Sequence, residues 1–169
     1  MNKQKLELRM YGFVAYNLGS VQKGIQFGHA VVEYSKFIDQ LRELGIPEHK
    51  EVVERWIDWR DNHKTFIVLD GGSTNKNLGP NLGNLNLLYS EISVLTPTIP
   101  FYEPDLGDQM SAFVFILDER VFNEKDWSFY YEDKDFIDIK NKWFEQLPEK
   151  EQIALESLRH LIKGKRLAQ

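Results

Sequence analysis

The residues of this chain best suited to chemistry lie between positions 22 and 33: Gln22, Lys23, Gln26, His29 and Glu33. Gln22, Gln26, His29 and Glu33 are separated by steps of four, three and four, so on a helix they form one polar stripe beside an apolar face. His29 has the chemistry of a general base, with Glu33 one turn further on to hold its second ring nitrogen. The same spacing describes an exposed histidine beside an i,i+4 carboxylate, which is the commoner case. Lys23, near the helix start, adds a full positive charge to the partial one created there by free backbone N–H groups, a combination that suits a phosphate or a carboxylate. Gly24 and Gly28 leave room for a ligand or another backbone to come close. A zinc centre is disfavoured, because the chain has four histidines and no cysteine and none of the other histidines stands at ligand spacing from His29.

These residues need a helix to carry them and a sheet to hold the helix. Residues 6–16 are rich in apolar and aromatic side chains and end in the turn cluster Asn17-Leu18-Gly19-Ser20, which predicts a first, largely buried strand. Ser20 is placed to cap a helix over residues 20–44, with Gly45 as its terminating residue and Pro47 just beyond. A second amphipathic helix is expected over 48–59. Residues 64–69 (Lys-Thr-Phe-Ile-Val-Leu) read as a central strand entering a tight turn at Asp70-Gly71-Gly72. The glycine- and asparagine-rich stretch 71–86 predicts a long loop, with a third helix near 85–95. Strands over 98–103 and 110–117 follow, joined by the turn Pro104-Asp105-Leu106-Gly107-Asp108. The resulting order is β-α-α-β-α-β-β.

Two loops bring further polar groups. Gly71-Gly72-Ser73-Thr74-Asn75-Lys76 follows a strand but lacks the order of a phosphate-binding P-loop. It reads as a flexible segment, with Ser73, Thr74 and Asn75 as donors that can close over a ligand at the start of the first helix. Glu103, Asp105 and Asp108 suit magnesium or an oriented water, although turns use aspartate as often for its backbone hydrogen bonds. Beyond residue 118 the chain turns acidic and aromatic, with Trp127, Phe129, Tyr130 and Tyr131. Such aromatics stack on bases in some sites and more often pack an extension onto a core. Two helices are expected over 133–147 and 148–163, ending in a basic tail, Lys163-Gly164-Lys165-Arg166, that reads as a solvated end. We divide the chain into an α/β core, 1–118, and a C-terminal helical extension, 119–169, packed on it.

With 169 residues, the chain is long enough to bury roughly 70% of its unfolded surface in one core. The absence of cysteine excludes disulfides and thiolate metal sites and suits a reducing compartment, so a cytoplasmic location is expected. The first residues mix Lys3, Lys5 and Arg9 with Gln4 and Glu7, without an apolar run, and predict neither a signal peptide nor a membrane span. A net charge of −5 argues against a broad nucleic-acid surface, since affinity for a polyanion comes mainly from neutralised phosphates. A small basic site is compatible with it.

The run Gln22-Lys23-Gly24-Ile25-Gln26-Phe27-Gly28-His29-Ala30-Val31-Val32, following a strand and a turn, resembles the type-II peptidyl-tRNA hydrolases. In that family a first strand leads into a Lys-Gly-rich turn and a helix bearing Gln-x-x-His-Ala-Ala. The likeness extends over residues 8–117. It implies a three-layer α/β fold with a mixed four-stranded sheet of β-α-α-β-α-β-β topology. It further implies that Asp105, in the turn between the last two strands, approaches the helix, so that His29, Asp105 and Lys23 form the catalytic set. The family's turn carries Gly, Arg and a catalytic Thr, whereas this one reads Leu106-Gly107-Asp108-Gln109, and the family's second turn lysine is missing.

The expected function is therefore a binding protein on a hydrolase-like scaffold. It would hold a small nucleotide or other phosphate-bearing ligand through Gln22, Lys23, Gly24, Gln26, Glu33, Ser73, Thr74, Asn75 and Asp108, with no cofactor. Phage defence-evasion factors that sequester nucleotide signals offer a functional analogy. The alternatives are an active peptidyl-tRNA hydrolase, with tRNA as partner, and a homo-oligomeric interaction module without a ligand.

Overall fold

The computed structural model describes residues 6–73, 77–92, 95–122, 144 and 146–168. Strand β1 (Leu8–Val14) leads into helix α1 (Ser20–Leu44), a short 3-10 turn (Pro47–His49), α2 (Lys50–Asp58) and a π-turn (Trp59–His63). Strand β2 (Thr65–Asp70), α3 (Gly79–Tyr89), β3 (Ile99–Glu103) and β4 (Gln109–Asp118) follow, then a single helical turn, α4 (Glu119–Phe122), and a last helix, α5 (Glu149–Lys163). The fold is α/β, and the elements up to β4 come in the order expected from the sequence.

The four strands form one mixed sheet in the order β2-β1-β4-β3. β1 runs parallel to β2 and antiparallel to β4, and β3 is antiparallel to β4. β1 and β4 are covered on both faces, which explains their nearly unbroken apolar composition. Their side chains alternate between two clusters with the period of a strand. Met10, Val14, Ala112, Val114 and Ile116 meet Phe27, Ala30, Tyr34 and Ile38 of α1 and Trp56 of α2. Phe13, Phe113, Phe115 and Leu117 meet Leu85 of α3, Val121 of α4 and Leu155 and Leu158 of α5.

Helix α1 ends as its sequence predicts. Gly45 adopts the left-handed conformation (φ 62°), and its N–H bonds to Leu41 and Arg42. Its beginning differs from the expectation. Gly19, not Ser20, is the N-cap, and the Gln22 side chain reaches back to accept the Gly19 N–H at 3.3 Å. Gly12 matters for the docking of α1: a Cβ at this position would lie 2.2 Å from the Phe27 ring, so the bare backbone admits that ring onto the sheet.

Three expectations are corrected. The strand expected to be central, β2, lies at the edge of the sheet. Its apolar composition has another cause: Phe66 packs against Phe27 and Trp59, and Trp59 Nε1 donates to Thr65 O at 3.1 Å. The basic tail expected in solvent instead covers that edge. Asp70 N donates to Arg166 O and Ala168 N to Val68 O, both at 2.9 Å, so unpaired groups on each chain satisfy the other. The third helix starts at Gly79 rather than near residue 85, and the loop is correspondingly shorter. Pro80 is in its first turn, where a missing N–H costs nothing. Buried Asn81 donates to Gly71 O at 3.0 Å, and Leu78 and Leu85 are fully buried. Asparagine and glycine there serve packing and hydrogen bonding rather than a loop.

Candidate functional site

One end of the sheet brings together several of the residues singled out in the sequence. Because β1 and β2 are parallel, their carboxyl ends lie side by side, with Val14 opposite Asp70. The chain leaving β1 is tied to its neighbours: Tyr16 N donates to Gly72 O at 3.1 Å, Gly71 N to Val14 O at 2.8 Å and Ala15 N to Ser111 O at 3.0 Å. The start of α1, residues 71–73 and the start of β4 therefore meet at that end. In open α/β sheets the crevice outside the carboxyl ends of parallel strands is a favoured place for ligands.

Among the described residues, no side chain caps the first-turn N–H groups of α1. That turn has no acidic residue, and Gly19 supplies no capping side chain. Lys23 sits partly buried in this turn, and Gly24 is exposed beside it. One turn on, Gln26 is buried, with 7% of its surface exposed. Its Nε2 donates to Glu103 Oε2 at 2.5 Å, and its Oε1 accepts the Ser111 hydroxyl at 2.6 Å. This chain of bonds fixes the orientation of the Gln26 amide and clamps α1 to the end of β3 and the start of β4. The second carboxylate oxygen of Glu103 accepts the Asp105 N–H at 3.4 Å, which aligns Glu103 with the turn. His29 is exposed and stands edge-on to Phe101 of β3, 4.7 Å between ring centroids.

Several expected roles change. The acidic residue of the β3–β4 turn that reaches α1 is Glu103, not Asp105, because Glu103 is the last residue of the strand lying beside the helix. Asp105 and Asp108 are exposed. Asp108, in the left-handed region (φ 57°), closes the turn by donating its N–H to Glu103 O at 3.1 Å. Glu33 does not orient His29; it pairs with Lys36 at 3.4 Å. Among the described residues nothing lies within 4 Å of a Cβ built at Gly24 or Gly28, so these glycines serve no close approach of another described segment. Ser73 accepts the Asn77 and Leu78 N–H groups through its carbonyl and so forms the entrance to α3. Thr74 and Asn75, the aromatic group at 127–131 and, of the helix expected over 133–147, residues 133–143 and 145 lie outside the described residues.

Of the residues in this network, the sequence pointed to Glu103 only as a group suited to magnesium or an oriented water, and it did not point to Ser111. The faint signal was a polar Gln26 on the otherwise apolar inward side of α1 together with a serine opening an apolar strand, two buried polar groups that require partners. Among the described residues, no group of three or more His, Cys, Asp or Glu side chains can hold a metal ion, and no helix is long and apolar enough to cross a membrane. Neither protein-family models nor curated protein sequences give a match to this chain.

Proposed function

We propose that this protein holds a small nucleotide, or a similar phosphate-bearing ligand, between the first turn of α1 and the β3–β4 turn. The observation that carries this reading is the uncapped, acid-free start of α1 with Lys23 in it, one helical turn from a carboxylate clamped in place. The helix start favours an anion. Glu103 favours the opposite kind of group, a hydroxyl or amino donor. A nucleotide carries both kinds of group, a phosphate and the hydroxyl and amino donors of its sugar and base. Binding without turnover, as in a protein that sequesters a nucleotide signal, fits a turn that lacks the threonine and arginine of the hydrolases it resembles.

The test is a thermal-shift screen of mono-, di- and cyclic nucleotides followed by calorimetry. A ligand at about 100 times its Kd adds about 2.7 kcal/mol of stability, which is readily seen, and Lys23→Ala removes the shift. If no nucleotide stabilises the protein, the reading fails. A hydrolytic reading is favoured by one feature, the exposed His29 beside Phe101 and near the clamped Glu103. It requires release of tRNA from peptidyl-tRNA that is abolished in His29→Ala. Self-association is favoured by the exposed Val21, Ile25 and Val32 on the outer side of α1; size-exclusion chromatography of Ile25→Asp tests it, with loss of any oligomer expected.

A further inference from the structure

Glu103 joins a fixed position to unused hydrogen-bonding capacity. The Ser111 hydroxyl donates to Gln26 Oε1 at 2.6 Å, so the other end of that amide is left to donate, and Gln26 Nε2 does so to Glu103 Oε2 at 2.5 Å. Glu103 Oε1 accepts the Asp105 N–H at 3.4 Å, a long bond. A carboxylate has about four acceptor positions, shared between its two oxygens. Among the described residues each oxygen of Glu103 therefore uses one position and keeps another, side by side on a half-buried side chain. Two adjacent acceptors are best matched by two adjacent donors, as when a carboxylate takes the fork of a guanidinium.

The surroundings of Glu103 favour a flat ring over a sugar. Phe101, two residues earlier on β3, and His29, three residues after Gln26 on α1, meet edge to face with 4.7 Å between their centroids. His29 is exposed, and an aromatic ring in such a position stacks on a nucleobase of any kind. The bases differ in what they show to a carboxylate. Guanine places a ring N–H and an exocyclic amino group next to each other, and both are donors. Adenine and cytosine set a ring-nitrogen acceptor beside the amino donor, and uracil flanks its ring N–H with two carbonyls. Those acceptors would face a carboxylate oxygen and repel it.

We infer that Glu103 selects the base and that the ligand of this site is a guanine nucleotide. Its ring N–H and amino group donate to the two remaining acceptor positions of Glu103, and its ring plane rests against His29. The inference rests on the nucleotide reading of the same site, which assigns the phosphate to the first turn of α1 and does not choose a base.

Titration calorimetry of the full chain with the 5′-mono- and diphosphates of guanosine, inosine, adenosine and uridine, and with the 2′-deoxyguanosine forms, tests it. Guanine nucleotides should bind tighter than adenine and uracil nucleotides by about tenfold or more, the scale of a bidentate base contact. Inosine nucleotides should fall between, since hypoxanthine keeps the ring N–H and lacks the amino group. The 2′-deoxy forms should bind as the ribo forms do. Glu103→Gln, which still offers Gln26 an acceptor oxygen, should bring guanine and adenine nucleotides to similar affinities. Equal affinity for all bases, a guanine preference that survives Glu103→Gln, or a loss on removing the 2′-hydroxyl, which would assign Glu103 to the sugar, overturns the inference and leaves the nucleotide reading standing. Absence of binding by every nucleotide overturns both.

Discussion

Gln26 shows how a single residue links fold to site. It is buried on the inner side of α1, and its amide is shared between Glu103 and Ser111. Replacing it with alanine strands the Ser111 hydroxyl, itself fully buried, and frees Glu103. We expect Gln26→Ala to cost about 1–3 kcal/mol in urea unfolding and to weaken nucleotide binding beyond what that loss explains. At the other end of the sheet, burial pushes the Glu119 carboxyl above the usual carboxylate range, and the neighbouring Glu7 and Asp118 charges push the same way. A raised folded-state pKa means that the ionised form is less favourable folded than unfolded. The penalty is absent below the ordinary glutamate range and complete above the raised value. Glu119→Gln should therefore stabilise the protein at neutral pH, and the gain should vanish as the pH falls below that range. A gain that persists in acid would mean that charge is not its origin.

Elements in this fold are held by close approaches that composition alone does not reveal. α1 lies on the sheet through Phe27, whose ring occupies the space above Gly12. Gly12→Ala should push the ring away and cost about 1–3 kcal/mol, and Phe27→Ala in the same background should cost less than it does alone, because the two sites share one contact. The edge of β2 depends on the tail. Deleting residues 165–169 removes the bonds to Val68 and Asp70 and uncovers strand groups that template association. The truncated chain is expected to melt earlier and to elute as larger species with rising concentration, as read by calorimetry and light scattering. Element type was legible in the sequence where the signal was local: the length of α1, its Gly45 terminus, the short β3 and the long apolar β4. Placement was not. A β-branched, aromatic run looks the same whether a strand is central or is an edge covered by Trp59 and a returning tail, and an Asn-Gly-Pro run looks like a loop until Asn81 finds the Gly71 carbonyl.

Across the whole molecule, the sheet divides the core into two clusters, and α5 contributes Ala154, Leu155 and Leu158 to the one that contains Phe13 and Phe113. Leu158→Ala should cost about 2–5 kcal/mol and lower the single unfolding transition seen by both near- and far-ultraviolet circular dichroism. Separate transitions would mark α5 as an appendage. The sequence by itself determined that this is an α/β chain and the order of its elements through β4. Those properties follow from periodicity, caps and turns, which act over a few residues. Only the tertiary structure decided that Glu103 rather than Asp105 reaches α1, that Glu33 turns away to Lys36, and that Ser111 completes the network. These are pairings between residues as much as 85 positions apart. They are set by strand register and by the need of buried polar groups for partners, and neither has a local signature.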